Sequence, residues 1–122
     1  MPELFKLGEH YICEMWGCDP TLLHDNQQLG QQFIQVAERH NLSIVDKGQF
    51  EFAPHGFTCY LLLAESHASL HSWPEHNYCA IDLFTCNLTI DVAPFFDALK
   101  KALKGDKLTI QKIDRGIPKR EV

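Results

Sequence analysis

Glu65-Ser66-His67 lies between an apolar run, Tyr60-Leu61-Leu62-Leu63-Ala64, and a polar cluster, Ser69-Leu70-His71-Ser72-Trp73-Pro74-Glu75. Leu83-Phe84-Thr85-Cys86 closes the segment. A hydroxyl directly after an acidic residue is followed by imidazoles one and five positions on and by a thiol twenty positions on. These types suggest a reactive centre. The Ser66 hydroxyl can attack the carbonyl of Glu65 and turn that amide into an ester. A base that removes the α-proton of residue 66 would then expel residues 1–65 by β-elimination. The dehydroalanine left behind would hydrolyse to a pyruvoyl cap on the chain from residue 67. Taken alone the tripeptide is common, and a polar strand end is the plainer account of it.

Each neighbouring residue also has a plain role and a chemical one. His71 alone would be a hydrogen-bonded histidine inside a sheet, and it is also a candidate base. Cys86 would be an inert buried thiol, or a reactive thiol in a partly buried site. Phe52 would be core, or an aromatic platform whose π face attracts a cation. Trp73 could serve either purpose. Glu75 alone would be a solvated turn residue, its carboxylate offering two acceptor oxygens.

These residues need a scaffold. His10 to Trp16 predicts a strand broken by Gly17-Cys18-Asp19-Pro20. Asp25 or Asn26 caps a helix running to about His40, with Leu29, Phe33, Val36 and Ala37 on one face. Ser43 to Phe52 predicts a strand interrupted at Gly48, and Pro54-His55-Gly56 a turn. Phe57 to Ala64 predicts a strand apolar enough for burial on both faces. Leu70 to Trp73 is a short extended piece, and Tyr78 to Cys86 a strong strand. Ala93 to Leu103 predicts a helix with Phe96, Leu99 and Leu103 inward, stopped at Gly105. Leu108 to Ile113 is the last strand, and residues 115–122 look frayed and basic. The expected fold class is α+β: a two-layer sandwich, an antiparallel sheet with two helices on one face.

Composition narrows the function classes. A chain of 122 residues, 45% apolar and 22% charged, predicts one globular domain spanning 1–122. A core of that size gains from oligomerisation. The formal charge is −5 with no basic stripe, so nucleic acid is not expected as a partner. No apolar run reaches the roughly 18 residues of a membrane helix, and no secretory signal is evident. Five cysteines, an odd number, argue against a closed disulfide framework and point to the cytoplasm. Cys13 and Cys18 lack zinc-ligand spacing, so no metal is expected.

The segment from Glu65 to Cys86 resembles the self-cleavage region of the prokaryotic S-adenosylmethionine decarboxylases. The shared residues are Glu65, Ser66, His67, Leu70, His71, Ser72, Trp73, Pro74 and Glu75, then Tyr78, Ala80, Asp82, Phe84, Thr85 and Cys86. A looser likeness covers Leu7-Gly8-Glu9-His10, the Phe52 to Gly56 turn, and the final helix and strand.

The resemblance implies a proenzyme cleaved between Glu65 and Ser66 into chains 1–65 and 66–122, with Ser66 becoming the covalent pyruvoyl cofactor. It implies His71 as the base for elimination and Thr58 as the hydroxyl assisting it, where the family usually has serine. It implies Cys86 as the acid that protonates the substrate α-carbon. Phe52 would stack on adenine, and Glu75 would accept the ribose hydroxyls. The substrate S-adenosylmethionine would join the pyruvoyl group as a Schiff base and lose CO2, and its product would serve spermidine synthesis. A homodimer in which two protomers build each site is also implied. His55 stands where an aromatic is expected, and Asn87 where glycine is expected. The rival readings are an ornithine or arginine decarboxylase using the same cofactor, and an uncleaved, non-catalytic paralogue.

Overall fold

The computed structural model describes residues 6–117. The elements run β1 (Gly8–Trp16), α1 (Pro20–Leu23), α2 (Asn26–Arg39), β2 (Ile44–Glu51), β3 (Phe57–Leu63), β4 (Ser66–Trp73), a 3-10 turn (Pro74–His76), β5 (Tyr78–Thr85), α3 (Ala93–Leu103) and β6 (Lys107–Arg115). The strands form one sheet of six in the order β2-β3-β4-β5-β1-β6, and every neighbouring pair is antiparallel.

Alternation explains how the sheet takes its helices. Successive side chains on a strand point to opposite faces. Tyr11, Cys13 and Met15 of β1, Phe57, Cys59, Leu61 and Leu63 of β3, Ala68 and Leu70 of β4, and Cys79, Ile81 and Leu83 of β5 are all buried on one face. They pack with Leu29, Phe33, Val36 and Ala37 of α2 and with Phe95, Phe96, Leu99 and Leu103 of α3. Each large side chain fully buried here contributes about 1.5–3 kcal/mol. Asp25 caps α2, its carboxylate accepting from the Gln28 N–H at 3.1 Å. Both main helices therefore lie on one face, the two-layer α+β sandwich that the pattern predicts.

Four local expectations are corrected. Strand β3 is not buried on both faces: Tyr60 and Leu62 remain 45% and 43% exposed. An apolar run hides this, because periodicity is invisible when both faces carry large side chains. Gly48 does not interrupt β2; the irregularity falls between Ile44 and Asp46 instead. A Cβ at position 48 would collide with the Tyr60 ring, so the glycine makes room for a cross-strand neighbour. The short piece at 70–73 is the end of an unbroken eight-residue strand that begins at Ser66. Residue 115 belongs to β6; residues 118–122 of the tail expected to fray lie outside the described part. Lys104, at φ 53°, takes the left-handed cap of α3 just before Gly105.

Candidate active site

Glu65 lies in the two-residue turn joining β3 to β4, and Ser66 opens β4 opposite Leu63 and Thr85. The Ser66 hydroxyl lies against the Glu65 carbonyl oxygen. That same oxygen accepts a hydrogen bond from the backbone N–H of Cys86 at 3.1 Å. The Cys86 thiol is exposed and 3.8 Å from Ser66 Oγ. A nucleophile, a polarised carbonyl and a thiol thus meet at one end of β3, β4 and β5. Asn87, just beyond, orders the loop that carries Cys86. Its N–H donates to Thr85 Oγ1 at 3.0 Å, and its side-chain oxygen accepts from the Thr89 N–H at 3.1 Å and the Thr89 hydroxyl at 2.7 Å. A small cavity of about 30 Å³ behind Glu65 and Ser66, with Asn41, Ser43, Thr85 and Asn87 in its wall, has room for a water molecule.

The other predicted residues gather elsewhere. Thr58 on β3 faces His71 on β4 across the ladder, and Thr58 Oγ1 lies 2.9 Å from His71 Nδ1. That pairing can fix the imidazole's tautomer and ring orientation. Thr58 and His71 line a cavity of about 310 Å³ with Phe52, His55, Trp73 and Glu75. Phe52 N–H donates to the Gly56 carbonyl at 2.9 Å, closing the turn that carries His55. Gly56 has φ 116°, a conformation that glycine adopts without strain. Glu75 sits on the Pro74–His76 turn, exposed at the cavity rim. Ser72 lines the cavity too, and its hydroxyl is buried without a partner among the described residues.

One chain does not bring these two groups together. Ser66 and His71 share β4 but stand five residues apart, about 17 Å at roughly 3.4 Å per residue. Alternation also sends them to opposite faces: Ser66 with the buried Ala68 and Leu70, His71 with the exposed Trp73. Glu75 is farther still along the same line.

Sequence reasoning missed the Cys86 amide, since every residue but proline has one and nothing in the sequence marks it. It also missed the separation along β4, although positions 66 and 71 differ in strand parity. The pale alternation of Ser66-His67-Ala68-Ser69 concealed the strand.

Burial pushes the Cys13 thiol up to about 12 and the Cys59 thiol up to about 11. Cys79 is raised by its hydrogen bond with Cys18 and by burial. Among the described residues no three His, Cys, Asp or Glu side chains gather to hold a metal ion.

A model of the S-adenosylmethionine decarboxylase family matches residues 9–116. The S-adenosylmethionine decarboxylase proenzyme 2 of Bacillus cereus is 36% identical over 115 residues, 94% of this chain and 94% of that protein. The proenzyme of Thermotoga petrophila is 37% identical over 111 residues, covering 91% of this chain and 85% of that protein. The crystal structure of the adenosylmethionine decarboxylase from Aquifex aeolicus superposes with a TM-score of 0.83 at 28% identity, over 96% of this chain and 97% of that one.

Proposed function

This chain belongs to the S-adenosylmethionine decarboxylase family, and we infer that it is a self-processing proenzyme which, once cleaved, converts S-adenosylmethionine to decarboxylated S-adenosylmethionine and CO2. The observation that carries this reading is the meeting of Glu65, Ser66 and Cys86. The Ser66 hydroxyl lies against the carbonyl it would attack, and the Cys86 N–H donates to the oxygen that would become an oxyanion.

Cleavage then follows in three steps. Ser66 Oγ bonds to the Glu65 carbonyl carbon, the C–N bond breaks, and the nitrogen takes the proton. The base removes the α-proton of residue 66, the Cβ–Oγ bond breaks, and the 1–65 chain leaves as a carboxylate. One water adds and ammonia departs from position 66. The pyruvoyl group so formed supplies a carbonyl for the substrate amine and a sink for the electrons of the breaking bond to CO2. Cys86, held beside position 66, delivers a proton to the substrate α-carbon. Phe52 and Trp73 present aromatic faces to the adenine, and Glu75 accepts the ribose hydroxyls. The product serves spermidine synthesis.

The base comes from a second copy. His71 and Thr58 lie about 17 Å along β4 from Ser66, too far for proton transfer within one chain. The sheet face away from the helices is uncovered and carries Trp16, Phe50, Tyr60, Leu62, Trp73 and Ile113, all exposed. A two-fold axis between two such faces, perpendicular to the strands, reverses β4. It brings the backbone of the Ser66 end of one copy over the Thr58–His71 end of the other, so the base would approach residue 66 from the face opposite its hydroxyl. Each homodimer would then hold two composite sites. Five free cysteines suit a cytoplasmic enzyme, and no described helix is long and apolar enough to cross a membrane.

Release of labelled CO2 from carboxyl-labelled S-adenosylmethionine by the incubated wild-type chain tests the activity. The same assay with labelled ornithine and arginine should give none. No release from S-adenosylmethionine by a fully cleaved preparation would overturn the reading.

A further inference from the structure

His55 stands on the Phe52–Gly56 turn with its Nε2 3.5 Å from Oε2 of Glu75. Both side chains are 41% exposed, so whatever enters the cavity reaches the pair. Other ionisable groups lie near the imidazole. The ring of His24, just after α1, stands at 68° to that of His55 with centroids 6.2 Å apart, and its Nδ1 is 2.8 Å from the Pro20 carbonyl. Glu51, the last residue of β2, lines the adjoining cavity of about 340 Å³ that His55 also walls. His71 lies in the wall of the larger cavity, held by Thr58. Of these, only Glu75 is within ion-pair distance of His55.

We propose that His55 is a positioning residue for the Glu75 carboxylate, and that its proton decides whether that carboxylate is free to take the substrate's ribose. The inference rests on the assignment of Glu75 as the ribose acceptor. A carboxylate offers about four lone-pair sites. A neutral imidazole donating one N–H uses one of them, orients the group, and leaves the others for two hydroxyls. An imidazolium changes both terms. It forms an ion pair that the hydroxyls must displace, because charge-assisted hydrogen bonds are roughly twice as strong as neutral ones. It also adds a positive charge to a cavity that must admit a sulfonium. An imidazolium at this position therefore opposes substrate binding, and a neutral imidazole supports it. A phenyl or phenol ring at this position would carry no such charge.

The test uses the processed wild-type protein and the variants His55→Gln, His55→Phe and His24→Asn. Binding of 5′-methylthioadenosine is measured by calorimetry from pH 5.5 to 8.5; it carries the ribose diol but no amine to react. KM and kcat for S-adenosylmethionine are measured over the same range. In wild type, Kd and KM should both rise on the acid side, approaching tenfold per pH unit for one linked proton. The acid change should fall on KM rather than kcat. His55→Gln keeps a donor but has no proton to gain, so its Kd should stay level with pH and its KM should rise less on the acid side than that of wild type. His55→Phe should bind more weakly than His55→Gln and also stay level. An acid rise in Kd persisting in His55→Gln overturns the proposal, as does one abolished by His24→Asn alone. A level profile in wild type overturns it while leaving the decarboxylase reading intact, provided CO2 is released. Absence of both binding and CO2 release removes the two together.

Discussion

The backbone N–H of Cys86 donates to the carbonyl oxygen of Glu65 at 3.1 Å. One residue would therefore serve the proposed site twice, its amide on the Glu65 carbonyl oxygen and its thiol 3.8 Å from Ser66 Oγ. The amide contribution survives any side-chain substitution. Cleavage and turnover can accordingly be separated at position 86.

Self-cleavage should give fragments of 65 and 57 residues, the second blocked at its N-terminus. Intact-mass measurement after incubation without protease checks this. Ser66→Ala should stay whole, because no hydroxyl begins the acyl shift. His71→Ala should stall as an ester that hydroxylamine cleaves. A single full-length mass for wild type after long incubation would exclude cleavage.

Subunit sharing predicts complementation. Ser66→Ala and His71→Ala are each defective alone, but a mixed dimer pairs an intact Ser66 with the His71 of its neighbour. Co-expression should therefore restore cleavage of the His71→Ala chain only. Leu62→Lys, which places a charge on the uncovered face, should shift the protein toward monomer in sedimentation and slow cleavage of an otherwise intact site. Cleavage at full rate in a proven monomer would exclude the shared site.

Cys86→Ser should still be processed, since the amide remains, and should lose most turnover because a hydroxyl is a far weaker acid than a thiol. Alkylation of native wild type at pH 8 should modify one thiol. Cys13, Cys18, Cys59 and Cys79 are buried, and burial raises Cys13 to about 12 and Cys59 to about 11. Peptide mapping identifies the site, and substrate should protect it. Full activity in Cys86→Ala would remove the thiol from the mechanism.

Acid stability should depend on Glu9. The Lys6 hydrogen bond, with help from Tyr11 and Lys112, lowers its carboxyl from 4.5 to about 2. A depressed folded-state value means that this stabilisation is complete above the unfolded value and fades as the pH falls from about 4.5 toward 2. Glu9→Gln should thus melt a few degrees lower than wild type at pH 7. The gap should close as the pH is lowered through that window. A constant gap at every pH would show that packing, not charge, is lost.

Much of the scaffold was legible because it is written in local terms. Leu29, Phe33, Val36 and Ala37 recur at helical spacing and are all buried against the sheet. Asp25 is a capping residue by chemistry and caps α2 in fact. The resemblance from Glu65 to Cys86 identified the family, since fifteen matching residues with no gap are specific in a way that a tripeptide is not. None of this needed a third dimension.

The sequence by itself therefore determined the family, the two-layer fold and the types of side chain from which the site is built. The tertiary structure decided which of them meet. Hydrogen bonding between β3 and β4 set Thr58 opposite His71, thirteen residues away, and the end of β5 brought the Cys86 amide to the Glu65 carbonyl. The same strand geometry carried His71 away from Ser66, because five residues of extended chain span about 17 Å and an odd step reverses the face. It also carried His55, a mere departure from pattern in the sequence, to within 3.5 Å of Glu75. Side-chain identity travels with the chain, but proximity is set by register and turn geometry, which depend on contacts between residues far apart in sequence.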